Sequence, residues 1–153
     1  MQAIVSSPLT LSHDVNDKAV TDKIWDVISN LEALEVSKAY VGESGTQFMQ
    51  SEETVLLSDA AMPKLGMEPF ASPAAQYFYK PMTMGGAKTA VLAMNSAAAT
   101  ATLKIDFSKV PGLKGTKFKV RDVWAHKDLG TMTGSWSGSV VSHDSAFLIL
   151  TPA

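Results

Sequence analysis

The sequence predicts a mainly β protein, an antiparallel β-sandwich of Greek-key type preceded by one strand–helix unit. Three observations carry this. From residue 75 onward, short runs rich in β-branched and aromatic residues recur between Gly, Asn, Asp and Ser turn signals. Within them, residues 100–107 alternate, with Ala101, Leu103, Ile105 and Phe107 on one face, and residues 117–123 set Phe118 and Val120 opposite Lys117, Lys119 and Arg121. That is the pattern of a sheet with one wet face. The first 40 residues instead read as a short apolar strand, a polar loop and two helices.

In chain order, residues 3–11 (AIVSSPLTL) form a nearly continuous apolar run of the kind buried on both faces, with a kink or end expected near Pro8. Residues 12–17 are a polar loop with Asx-turn and capping chemistry. A helix over residues 20–29 comes next, with Val20, Ile24, Val27, Ile28 and Leu31 on one side. Asn30 is an N-cap that restarts a second helix over residues 31–38, whose apolar side is Leu31, Leu34 and Val36. Such a unit cannot bury its own strand. Residues 41–74 read as a connecting segment punctuated by Gly42, Gly45, Pro63, Gly66, Pro69 and Pro73, in which only residues 54–57 have strand character. Further strands are expected at 76–80, 89–94, 100–107, 117–124, 134–140 and 146–150. The chain thus divides into 1–40, 41–74 and 75–153.

Composition narrows the function classes. Hydrophobic residues at 46% and charged residues at 18% of 153 are ordinary for a packed core. A net charge of −2 gives no electrostatic case for nucleic acid or an anionic membrane. Zero Cys excludes disulfides and thiolate metal sites. No run of about 18 apolar residues occurs, so no membrane span is expected, and the first 30 residues lack the basic-then-apolar pattern of a signal peptide. Met1 reads equally as a start and as the point where a longer chain was cut.

The candidate chemical motifs have plain alternatives. Gly85-Gly86-Ala87-Lys88-Thr89 fails as a phosphate loop, because Ala87 precedes the Lys and Met82 stands where the first Gly is needed; it reads as a hairpin turn. Gly134-Ser135-Trp136-Ser137-Gly138 has Trp where a nucleophile elbow needs Ser, and reads as a strand with small residues facing a neighbour. The three His do not have metal-ligand spacing, and no metal or other cofactor is expected. His126 near Asp128 and His143 near Asp144 suggest turn-stabilising hydrogen bonds. Trp124 and Trp136 have two readings, a sugar-stacking platform or core residues, of which core is favoured.

Several stretches resemble one family. Residues 3–9 followed by Ser12-His13-Asp14, residues 30–36 (NLEALEV), Tyr79-Lys80-Pro81-Met82, and the closing stretches 120–130, 134–138 and 141–152 are similar to the C-terminal part of the α-galactosidase and α-N-acetylgalactosaminidase family of glycoside hydrolases. Ser37-Lys38-Ala39 departs from the Asn-Gln-Asp usual there. The resemblance implies that residues 1–40 correspond to the end of a (β/α)8 barrel and that the remainder is the β-sandwich after it. It also implies retaining hydrolysis by an Asp pair, which needs carboxyl groups about 5–5.5 Å apart. The family carries both on earlier barrel strands, so no catalytic residue is carried over. Asp14 would lie on the barrel's catalytic face but has no matched partner.

The missing barrel poses a packing problem. Ile4, Val5, Leu9, Leu11, Val20, Ile24 and Ile28 would pack inside a barrel of which barely 40 residues are present, and covering each is worth about 1.5–3 kcal/mol. They are therefore expected to meet other protein chains. The leading expectation is a non-catalytic, structural or accessory subunit of a larger assembly. The alternatives are one piece of an active α-galactosidase, and a carbohydrate-binding module using Trp124 or Trp136.

Overall fold

The computed structural model describes residues 2–7, 14, 16–57 and 68–153. Among these residues two α-helices, α1 (Lys18–Ile28) and α2 (Leu31–Lys38), precede ten strands. These are β1 (Thr46–Gln50), β2 (Thr54–Leu57), β3 (Phe70–Pro73), β4 (Ala75–Pro81), β5 (Thr89–Asn95), β6 (Ala101–Asp106), β7 (Lys117–Asp122), β8 (Lys127–Thr133), β9 (Ser135–Val140) and β10 (Ser145–Pro152).

A six-stranded antiparallel sheet in the order β1-β4-β5-β10-β7-β8 is the backbone of the molecule, with β6-β9 and β2-β3 as separate ribbons. β4-β5 and β7-β8 are hairpins, and β10 returns from the second layer to pair with both β5 and β7. The connection is short, residues 141–144, and it brings β10 back beside β7, the first strand of the β7-β8 hairpin, as in a Greek key. The two central strands are covered on both faces. Val91, Ala93, Leu148 and Leu150 point into a core shared with Leu103, Ile105 and Trp136 of the β6-β9 ribbon. Ala90, Leu92, Phe147 and Ile149 point the other way, into a second core with Ile4, Ala33 and Val36. Their continuous apolar runs reflect this double burial, whereas β6, wet on one side, alternates.

α2 is the outer cover. Asn30, 4% exposed, accepts from Ala33 N through its side-chain oxygen at 3.0 Å and donates Nδ2 to the Val123 carbonyl at 2.9 Å. One residue thus caps the helix and ties it to the end of β7. At the other end, the fully buried Lys80 of β4 donates Nζ to the carbonyls of Val36 (2.6 Å), Ser37 (3.1 Å) and Ala3 (3.2 Å). The ammonium therefore satisfies carbonyls that the last turn of α2 leaves open and meets the negative end of its dipole. Burial pushes the Lys80 pKa down.

The N-terminal segment departs from expectation. The described part of the predicted 3–11 strand, residues 2–6, makes turns, with Ser6 at φ 54°. Among the described residues no strand pairs with it; instead the Ile4 carbonyl accepts from Gly45 N at 3.0 Å. A side chain at Gly45 would collide with the carbonyl oxygens of Ile4 and Tyr79, so only Gly lets the segment lie this close. The strand reading of 41–74 also needs correction. β1 lies there and forms an edge of the main sheet, and β3 pairs with β2. β8, which falls between the expected strands 117–124 and 134–140, is the opposite edge.

Candidate functional site

α1 is the more exposed of the two helices. Asp17 caps it, its Oδ1 accepting from Val20 N at 3.1 Å, yet none of its residues is buried. At 100° per residue Val20, Ile24 and Val27 fall on one stripe. Val20 is 39% and Val27 58% exposed, Ile24 and Ile28 are half-buried, and Trp25 further round is 56% exposed.

The residues expected to meet a partner thus separate into groups. Ile4 is 1% exposed and packed by the chain's own second core, with Val5 half-buried against it, so Ile4 offers no surface to another chain. This corrects the expectation for Ile4: the N-terminal segment folds back on the sandwich. Val20, Ile24 and Ile28 remain on the uncovered helix. Leu9 and Leu11 lie outside the described residues.

The two tryptophans separate as well. Trp136 is 8% exposed in the inner core, its ring lying where a Gly138 side chain would stand, which removes it as a sugar platform. Trp124 is 36% exposed. It stands in the turn between β7 and β8, where Asp122 Oδ1 accepts from the backbone N–H of both Trp124 and Ala125 at 3.0 Å. Its ring is fixed against Phe147 (centroids 5.3 Å apart) and donates Nε1 to Ser145 Oγ at 3.3 Å.

Beside this ring, the elbow between α1 and α2 forms an open groove of about 640 Å³ lined by Asp26, Ser29, Glu32, Trp124 and His126 among others. Glu32 is its fixed point. Arg121 of β7 donates to both of its oxygens, Nη2 to Oε1 at 2.8 Å and Nε to Oε2 at 3.0 Å, and His126 Nδ1 lies 2.8 Å from Oε1. His126 reaches it from a left-handed backbone conformation, φ 51°. The expected turn partners are therefore exchanged. His126 pairs with Glu32, Asp128 with Arg121, and His143 Nδ1 with Ser142 Oγ at 2.6 Å. Arg121, read from sequence as one of a solvated stripe, is instead a clamp between sheet and helix.

The Arg121 hydrogen bonds hold the Glu32 carboxyl down to about 2, with His126 adding to the effect against the opposing cost of burial. Arg121 is in turn pushed up by Glu32. A carboxylate with a lowered folded pKa stabilises the fold above its unfolded value and loses that contribution as the pH falls toward the folded one. Glu32→Gln is therefore expected to cost about 1–2 kcal/mol at pH 7. The difference from wild type should close between pH 4.5 and about 2, the interval set by the Glu32 values. Urea unfolding of both proteins across that interval measures it.

The other motifs give no site. Gly85 and Gly86, at φ 74° and 71°, sit in the β4-β5 connection. Among the described residues no group of three His, Asp or Glu side chains converges as a metal site, and no helix is long and apolar enough to cross a membrane.

Comparison with known proteins places this architecture. The chain is 29% identical over 154 aligned residues to the probable alpha-galactosidase B of Penicillium simplicissimum, and 24% over 150 to an alpha-galactosidase of Cyamopsis tetragonoloba. It is covered to 99% and 98%, but spans only 32% and 30% of those relatives. Among solved structures, alpha-galactosidase I of Mortierella vinacea superposes with a TM-score of 0.72 at 18% identity, over 99% of this chain and 34% of that one. A β-L-arabinopyranosidase of Geobacillus stearothermophilus gives 0.74 at 18%, over 99% and 28%. Two helices leading into a sandwich are thus a shared fold, and residues 72–150, from β3 into β10, match the alpha galactosidase C-terminal beta sandwich domain, the family to which this chain belongs.

Proposed function

We propose that this chain is a non-catalytic accessory module that docks onto a larger body, of barrel type, through the apolar stripe of α1. The bare stripe carries the reading. Ile4, Ala33 and Val36, from the N-terminal segment and α2, are gathered by the chain's own second core, while Val20 and Val27 are left in water. An 11-residue helix with no fully buried residue, only a half-buried face at Thr21, Ile24 and Ile28, is marginal by itself, because short helices need tertiary packing to persist. Covering what is still exposed of Val20, Ile24 and Val27 would add part of the roughly 1.5–3 kcal/mol that full burial of each side chain is worth. The body's type is supported by the relatives, which align with 98–99% of this chain, helices included, and extend well beyond it. Amide exchange across α1 tests the docking. Its amides should be protected in the native particle and exchange rapidly in the 153-residue chain by itself; equal protection in both would refute it.

A second reading is favoured by the same alignment. The body lies in one polypeptide with these residues, which are then the C-terminal third of an active retaining α-galactosidase acting on terminal α-galactosides. The module's role is the same in both, bracing the barrel's end, and the catalytic carboxylates belong to the body.

A further inference from the structure

We propose that the groove at the α1–α2 elbow binds a neutral pyranose ring, stacked on Trp124 and held at its hydroxyls by Asp26, Glu32 and His126. This goes beyond the docking role and does not rest on it.

Four features of the groove support a sugar. Trp124 is fixed by Phe147 and Ser145 while keeping 36% of its surface open, so an aromatic surface is presented without the entropy cost of ordering it on binding. The cavity, about 640 Å³, is large enough for one or two rings. Glu32 is held as a carboxylate, and with Arg121 occupying two acceptor sites and His126 a third it keeps one of its roughly four lone-pair positions for a ligand hydroxyl. Asp26, exposed, makes no hydrogen bond with any described residue, so its carboxylate is free to accept from a pair of neighbouring hydroxyls. A ring with an apolar C–H face and a polar rim matches an aromatic surface bordered by acceptors.

Charge sets the class. Arg121 already neutralises Glu32, which leaves Asp26 as the unmatched charge of the groove. Uronic and sialic acids would be repelled by it. Neutral hexopyranosides would not. Asp26 lies about 120° round the helix from Val20, off the stripe that docks.

The test is a titration of the native particle, in which α1 is seated, with methyl pyranosides of galactose, glucose and mannose, with glucuronate and choline in parallel. The readouts are the indole N–H resonance of Trp124 and calorimetry. A saturable shift of that resonance with at least one neutral pyranoside and none with glucuronate is expected. Trp124→Ala should weaken binding by about tenfold or more. Since that variant disturbs packing against Phe147, Asp26→Ala provides the fold-neutral control and should weaken it about threefold. Trp25→Ala, outside the groove, should bind as wild type. No response to any neutral pyranoside, unchanged binding in Asp26→Ala, or a response to choline in their place would overturn the proposal. None of these outcomes touches the docking of α1, which rests on Val20 and Val27.

Discussion

Lys80→Met should destabilise the protein by about 3–5 kcal/mol, the cost of removing one partner from a buried, charge-assisted set of hydrogen bonds. Met keeps the length and apolar stem of the side chain, so packing changes little. The substitution removes the ammonium that answers the carbonyls of Ala3, Val36 and Ser37. Among the described residues no carboxylate pairs with Lys80, so the charge is stabilised by these three dipoles alone. The last turn of α2 and the N-terminal segment both lose their anchor to β4, and the loss should show first in them. Chemical denaturation gives the magnitude, and amide exchange should show residues 2–7 and α2 opening before β5 and β10. Lys80→Arg is not a rescue, because the wider guanidinium does not fit the site of a compact ammonium.

Asn30→Ala is the second large effect, about 2–4 kcal/mol. The cap bond to Ala33 N is worth about 1 kcal/mol, and the Val123 carbonyl, which receives Nδ2 in a buried site, is left unpaired at roughly a further 1–3. The two contributions separate experimentally. Asn30→Asp retains an acceptor for Ala33 N but turns an oxygen toward the Val123 carbonyl, so it should recover none of the second contribution. If Asn30→Ala and Asn30→Ser were both within about 0.5 kcal/mol of wild type, a threshold typical of inert surface changes, the tie between α2 and β7 would carry no energy.

These two residues show where local signals suffice and where they do not. Asn30 is legible in the sequence as a cap, because an N-cap is a local device and its partner Ala33 is three residues away. Its second bond, to Val123, is not local, and neither are the bonds of Lys80 to Val36 and Ala3. Strands with strong signatures are equally plain. β2 coincides with the predicted 54–57, and β5 and β10 announce themselves through apolar runs that burial on both faces explains. The missed strands lack a period. β1 has a register shift between Gln47 and Met49, which breaks its alternation. β8 is an edge strand with no buried residue, so its side chains carry no inward pattern. The N-terminal segment fails in the opposite sense. Its apolar character does signal burial at Ile4, but that burial comes from folding back over Gly45 and not from a ladder. The groove is half visible. Trp124 stands out as an aromatic in a turn, whereas Glu32, which meets His126 across 94 residues of chain, gives no local signal.

Docking of α1 onto a larger body is tested by the mass of the native particle that carries these residues. Light scattering combined with intact-mass spectrometry should find a particle well above the 16.3 kDa of this chain. Double substitution of Val20→Glu and Val27→Glu should release the module from its body where the two are separate polypeptides, and unseat α1 where they are one. A monodisperse native particle of 16.3 kDa, unchanged by the double substitution, would contradict the account.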